Sequence, residues 1–241
     1  MAGLLDGRRA LITGANRGIG RSIAFAYARA GASCVLAGRQ ASELEALARE
    51  LSAIGPSAST IELMLDDPAS IAAAGRRVTE QLKTLDILVL NAASLGARQP
   101  IIQYPADIWR HTFEVNVHAN LLMLQAFDPL LRASPSGRVI FLSAGVATMA
   151  KAGTGSYAVS KAALEGLARV YMIEGKDTPI RVNTVNPGPT RTEMRARAAP
   201  DEDPMTIKTP EDIAPLFVEL ASADCTRQGE VISADVWLKQ R

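Results

Sequence analysis

Thr13-Gly14-Ala15-Asn16-Arg17-Gly18-Ile19-Gly20 sits between a short apolar run, Arg9 to Thr13, and a helical pattern from Arg21 to Ala30. The apolar run reads as a strand buried on both faces. Strand, glycine-rich turn and helix in that order form the first unit of a dinucleotide-binding fold. The glycines have separate tasks: some permit a tight turn, and others let backbone and helix come close to a pyrophosphate. The helix start offers amides and a positive dipole end to that phosphate. A loop that merely needs glycine is the plainer reading, but both flanks fit the nucleotide unit.

Moving outward, Ala32 to Gly38 reads as the second strand and ends at Gly38-Arg39. In this kind of fold that strand end meets the adenosine ribose, where an acid would bind the 2′-hydroxyl of NAD. The chain has no acid at position 38 and places Arg39 beside it, with Arg17 in the glycine loop. Two guanidiniums at one corner suit a 2′-phosphate, so NADP(H) is favoured and NAD(H) is the other option. Further alternation follows: a helix over 40–54, strand 61–65, helix 69–83, strand 85–90, two helical stretches within 105–134, strand 137–142, helix 155–174, strand 180–185, helix 210–221 and a last strand over 229–236. The expected architecture is α/β: one single-domain Rossmann fold over 1–241, a doubly wound parallel seven-stranded sheet with helices on both faces. The polar stretch at about 189–209 reads as a flexible substrate lid.

Composition narrows the function classes. The chain has 241 residues, 48% hydrophobic and 21% charged, with a formal net charge of +1. That balance gives no general attraction to nucleic acid or to a membrane surface. No apolar run is long enough to span a bilayer, and the first residues lack the apolar core of a signal peptide. Cys34 and Cys225 have no metal-ligand spacing, so the expectation is a reduced, cytoplasmic protein without a metal.

The chemistry centres on Tyr157-Ala158-Val159-Ser160-Lys161. Four residues apart on a helix, phenol and ammonium share one face. Tyrosine, with a pKa of about 10, is a poor acid or base near neutrality. A nearby ammonium favours the phenolate and makes the pair a usable general acid/base. Taken alone, the pair reads more simply as one packed tyrosine and one solvated lysine. Ser143 ends the fifth strand, at the crevice, where Tyr157 could meet it. Asn116, polar within an apolar helix pattern, is either a kink device or a site residue. His111 and His118 stand on helices without triad partners and read as surface or packing residues.

Thr13-Gly14 with Gly18 and Gly20, Asn91-Ala92, Asn116, Ser143, Tyr157 with Lys161, and Pro187-Gly188 with Thr192 together resemble the short-chain dehydrogenase/reductase family, in its small single-domain form. The stretch from Asn186 to Asp212 further resembles a bacterial subgroup, the YciK-like oxidoreductases. The resemblance implies an oxidoreductase that passes a hydride between a nicotinamide and a carbonyl or secondary alcohol. It implies that Tyr157 exchanges the proton with the substrate oxygen. Lys161 would lower the Tyr157 pKa and hold the nicotinamide ribose. Ser143 would hydrogen-bond the substrate, and Asn116 would hold a water that relays protons to Lys161. Cofactor contacts would come from Gly14, Asn16, Arg17, Gly18, Ile19, Gly20, Arg39, Asn91, Ala92, Tyr157, Lys161, Pro187, Gly188, Thr190 and Thr192. Partners would be a small carbonyl or alcohol and further copies of the chain, as a homodimer or homotetramer.

Three positions depart from the family pattern. Met64 stands where an Asp usually binds the adenine amine, and Asp66 could substitute if the register slips by two. Ala93 replaces a common Gly, and Ala234-Asp235-Val236-Trp237 replaces a common Val-Asp-Gly-Gly. A reading from another class is an NADP(H)-binding sensor or scaffold with little catalysis. The epimerase/dehydratase relatives also share the Tyr/Lys pair, but they usually carry a larger C-terminal substrate domain.

Overall fold

The computed structural model describes residues 3–241. Seven parallel strands form one sheet in the order β3-β2-β1-β4-β5-β6-β7. They are β1 (Arg9–Thr13), β2 (Ser33–Gly38), β3 (Ser59–Glu62), β4 (Ile87–Leu90), β5 (Arg138–Leu142), β6 (Arg181–Asn186) and β7 (Val231–Ser233). The helices are α1 (Gly18–Arg29), α2 (Ala41–Ser52), α3 (Pro68–Gln81), α4 (Ala106–Phe113), α5 (Ala119–Arg132), α6 (Gly155–Glu174), α7 (Glu193–Ala198), α8 (Pro210–Ala221) and α9 (Ala234–Leu238). The expected doubly wound α/β architecture is therefore present.

Side-chain alternation along the strands feeds two cores. Ala10, Ile12, Ile87, Val89, Ile140 and Leu142 face α1, α2, α8 and α9, with Phe217 and Trp237 among them. Leu11, Leu88, Leu90, Val139 and Phe141 face α3, α5 and α6, where Phe127 and Leu164 fill the space. Strands covered on both faces read as continuous apolar runs, as β4 and β5 do. The strand order reverses between β1 and β4, and this switch point opens a crevice at the carboxyl ends of the strands.

One expectation about the C-terminal third needs correction. The last strand spans only Val231–Ser233; Ser233 then caps α9, its side chain accepting from the Val236 amide. The 189–209 stretch is not structureless. Thr190 bridges Lys208 as in a parallel ladder, Arg191 donates to the carbonyls of Pro204 and Ile207, and Arg195 Nε meets Glu202 at 2.6 Å. Lys208 also pairs with Asp235 of α9. The stretch thus carries a helix, α7, and a base stapled by its own side chains.

Between α4 and α5 the chain makes a π-helical turn, Glu114–His118. Such a turn widens the helix and releases backbone groups from the regular ladder, often at functional sites. Asn116 lies at its centre, with no solvent exposure.

Candidate active site

The glycine loop brings β1 and α1 into contact that only glycine permits. A Cβ on Gly20 would stand 2.3 Å from the Gly14 carbonyl oxygen, and Gly14 and Gly18 take φ of +64° and +55°. Asn91, at the end of β4, donates through Nδ2 to the Thr13 carbonyl at 2.8 Å and to the Gly14 carbonyl at 3.3 Å. Thr13 Oγ1 accepts from the amides of Asn91 and Ala92. Asn91 and Ala92 thus brace the crevice wall.

The start of α1 has no side-chain cap and no acid in its first turn. By contrast, Asp67 caps α3 and Thr209 with Asp212 forms a capping box on α8. The uncapped amides beside the glycine turn are chemically matched to the pyrophosphate of a dinucleotide. The residues present therefore fit the cofactor that the glycine loop implies.

The cofactor candidates do not all keep free groups. Asn16 Nδ2 donates to Glu43 at 2.6 Å and Gln40 at 3.3 Å. Arg17 pairs with Glu193 of α7, while Arg39 is exposed and makes no ion pair or hydrogen bond among the described residues. The two guanidiniums are thus differently engaged, and Arg39 is the one left unpaired at the β2 end. Thr192 rests its methyl by Gly18, where a Cβ would come to 3.3 Å, and its hydroxyl caps α7. Thr190 Oγ1 turns inward to the carbonyls of Pro187 and Gly188. Met64 is exposed just beyond β3, and Asp66 lies 3.8 Å from His111 Nδ1. Asp66 therefore has a neighbour on α4.

Helix α6 carries Tyr157 and Lys161. Lys161 is 2% exposed, and its Nζ donates to the Leu142 carbonyl at 2.6 Å, 5.8 Å from the centroid of the Tyr157 ring. Burial lowers the Lys161 pKa to about 8, and the charge of Glu165 works against that fall. Tyr157 keeps part of its surface exposed, yet the protein crowded around it pushes its phenol up to about 12. The structure brings this pair together as the helical spacing requires.

Asn116 spends its whole side chain on positioning. Its Oδ1 accepts from the Ser94 amide at 2.7 Å, and its Nδ2 donates to the Ser94 carbonyl and to Ser160 Oγ, both at 2.9 Å. Its own carbonyl accepts from Asn120 Nδ2 at 2.8 Å. Asn116 thus ties the strand-end loop after β4 to α6 beside the Tyr/Lys pair.

Ser143 turns its hydroxyl toward α6. It is 2% exposed, and its hydroxyl donates to the buried Glu165 carboxylate at 2.6 Å. Strand alternation explains this: Ser143 follows Val139 and Phe141 toward the α6 side. Its hydroxyl is not joined to Tyr157. Glu165, Ser160 and Ser94 were not singled out from sequence. Glu165 was legible as a charge on the buried face of α6, one turn beyond Lys161 and beside Leu164 and Ala168.

The switch-point crevice and the glycine turn have the form of a dinucleotide site of the doubly wound class, with a Tyr/Lys pair at the β5 end. The short chain dehydrogenase family model matches residues 8–203, and the chain belongs to that family of oxidoreductases. It is 38% identical over 228 residues to the uncharacterized oxidoreductase YciK of Escherichia coli K12, covering 93% of this chain and 90% of that one. Among solved structures, a short chain dehydrogenase of Shigella flexneri complexed with NADP superposes with a TM-score of 0.93 at 36% identity, covering 98% and 100% of the two chains. One from Escherichia coli CFT073 complexed with NADPH gives 0.93 at 36% identity over 97% and 99%.

Among the described residues, no helix is long and apolar enough to cross a membrane, and no cluster of His, Cys, Asp or Glu is arranged to hold a metal.

Proposed function

We propose that the protein is an NADP(H)-dependent reductase or dehydrogenase acting on a small carbonyl or secondary alcohol, with Tyr157 as general acid/base. The observation that carries this reading is the Lys161 ammonium, fixed at the Leu142 carbonyl 5.8 Å from the Tyr157 ring, at the strand end next to the glycine crevice. A bound nicotinamide cofactor supplies the hydride chemistry. The protein's own part in reduction is to give the Tyr157 hydroxyl proton to the substrate oxygen as the alcohol forms. In oxidation the phenolate takes that proton back. Lys161 would favour the phenolate through its charge, against the burial that raises the Tyr157 pKa. Asn116 keeps Ser94 and Ser160 in register around the pair.

Gly14, Gly18 and Gly20 would let the pyrophosphate approach the α1 amides. Asn91, Ala92, Pro187 and Gly188 would line the nicotinamide half of the crevice. NADP(H) is favoured over NAD(H) because Arg39 stands unpaired at the β2 end with Gly38 beside it, and because two similar structures hold NADP or NADPH. Val159, Val170 and Ile173 form an exposed apolar stripe on α6, which supports pairing of two copies through that helix; sedimentation as a monomer at working concentrations would remove this part.

The test of the function is direct. Titrate the protein with NADPH and with NADH by fluorescence, then follow NADPH oxidation with a panel of aldehydes and ketones. Tight NADPH binding with turnover of at least one carbonyl is expected. Tight binding with no turnover of any carbonyl or alcohol would favour a sensor or scaffold instead.

A further inference from the structure

Glu165 is a charge for which the chemistry above has no use. It is 5% exposed, in the middle of α6, on the stripe that carries Lys161, Leu164 and Ala168. Burying a carboxylate is costly unless it is paired or hydrogen-bonded. Its partner comes from another element: Ser143 Oγ, at the carboxyl end of β5, donates to it at 2.6 Å with both groups buried. One helical turn earlier, Lys161 Nζ donates to the carbonyl of Leu142, the residue just before Ser143. Two consecutive residues, Leu142 at the end of β5 and Ser143 just after it, are thus gripped by two side chains one turn apart on α6, one cationic and one anionic.

This arrangement answers a problem that Lys161 poses. An ammonium taken fully out of water tends to give up its proton. Neutral lysine would offer the Tyr157 phenolate no opposite charge. Burial acts on Lys161 in that direction, and Glu165 is the charge that opposes it. Other elements packed on α6 keep their charges away from Lys161: Asp128 of α5 accepts from Tyr171, well beyond Lys161 along the helix. Arg138 and Arg181 stand at the opening residues of β5 and β6, away from the crevice end. Asp107, Arg110, His111 and His118 of α4 and the π turn are exposed, and Glu114 is half-buried.

Resting on the proton-transfer reading above, we propose that Glu165 is a positioning residue of this active site: its carboxylate, oriented by the Ser143 hydroxyl, keeps Lys161 protonated in its dry setting. Ser143 then orients Glu165. A merely structural glutamate would hold α6 to β5 and leave the lysine's protonation unchanged.

The test uses the full chain carrying lysine labelled at 13Cε and 15Nζ, with the Lys161 signal assigned by its loss in Lys161→Met. The titration midpoint of Lys161 is compared in wild type, Glu165→Gln and Glu165→Asp. The expected result is a fall of about one pH unit or more in Glu165→Gln, the scale of losing a nearby opposite charge, with partial recovery in Glu165→Asp. In NADPH-driven reduction the alkaline limb of the pH profile of Glu165→Gln should move to lower pH by a similar amount. Equal Lys161 midpoints in wild type and Glu165→Gln would overturn the proposal. Should Glu165→Gln fail to fold, Glu165→Asp decides: a lowered midpoint supports the assignment and an unmoved one overturns it. The titration needs no substrate. A wild type that reduces no carbonyl would therefore defeat the reductase reading, while the titration still decides whether Glu165 holds the proton on Lys161.

Discussion

Asn116 Nδ2 donates to Ser160 Oγ at 2.9 Å, joining the π-helical turn to the helix of Tyr157 and Lys161. The same amide group closes two hydrogen bonds with the backbone of Ser94. Replacing Asn116 by Leu keeps the branched shape but removes the partners of the part-buried Ser94 N–H and C=O and one of the two bonds of the Ser160 hydroxyl, which still donates to the Tyr157 carbonyl. Each buried polar group left unpaired costs about 1–3 kcal/mol. We expect Asn116→Leu to lose about 2–4 kcal/mol of stability in urea unfolding and to lower kcat for carbonyl reduction. An unchanged unfolding midpoint would show that the turn does not depend on this side chain.

Gly20 tests the crevice. A methyl there would meet the Gly14 carbonyl oxygen at 2.3 Å and Asn91 Nδ2 at 2.6 Å. The first contact is backbone and cannot swing aside. Gly20→Ala should weaken NADPH binding at least tenfold and lower the melting temperature, read by fluorescence titration and thermal unfolding. Wild-type affinity in this variant would mean that the turn has room the coordinates do not show.

Arg39 tests the choice of cofactor. It stands unpaired at the end of β2, whereas Arg17 is already paired with Glu193. A charge-assisted hydrogen bond to phosphate is worth roughly 1.5–3 kcal/mol, so Arg39→Ala should raise the Kd for NADPH by about tenfold to a hundredfold. The Kd for NADH should change far less. Equal affinity of the wild type for both cofactors would contradict the preference.

These features differ in how far sequence reveals them. The glycine turn is local: strand, turn and helix signals lie within Arg9 to Arg29, and the structure places them there. Helix α6 was legible from end to end because Gly155 opens it and Gly175 follows it. The orientation of Ser143 was not, because a residue at a strand end can be read as facing the crevice or the sheet. Counting back by twos to Phe141 and Val139 gives its side, but only the packing of Glu165 against it reveals the bond. The helix α9 was hidden for another reason. Ile232 to Trp237 is apolar enough to continue a strand, and only the Ser233 cap turns it. The charge of the 189–209 stretch suggests a flexible segment, and the partners of those charges, Arg195 with Glu202 and Lys208 with Asp235, are visible only in the structure.

The pH dependence of stability carries a signature of Lys161. Its folded pKa is lowered from 10.5 to about 8, burial being the main cause. Below about pH 8 both folded and unfolded chains hold the proton, and the cost of burying the charge is felt in full. Between about 8 and 10.5 the unfolded chain binds a proton that the folded chain has released, so raising the pH favours folding. Unfolding free energies of wild type and Lys161→Met should therefore diverge in favour of wild type as pH rises from 8 to 10. A pH-independent difference would show that Lys161 titrates as it does in the open chain.

The most direct test is the rate of carbonyl reduction by Tyr157→Phe at saturating NADPH, beside its Kd for NADPH. Phenylalanine keeps the ring on α6 and removes only the hydroxyl proton. The account predicts a fall in kcat of at least about a hundredfold, the scale of general acid catalysis, with cofactor affinity changed by less than about threefold. A variant that turns over within about tenfold of wild type would contradict the assignment of Tyr157 as the proton donor.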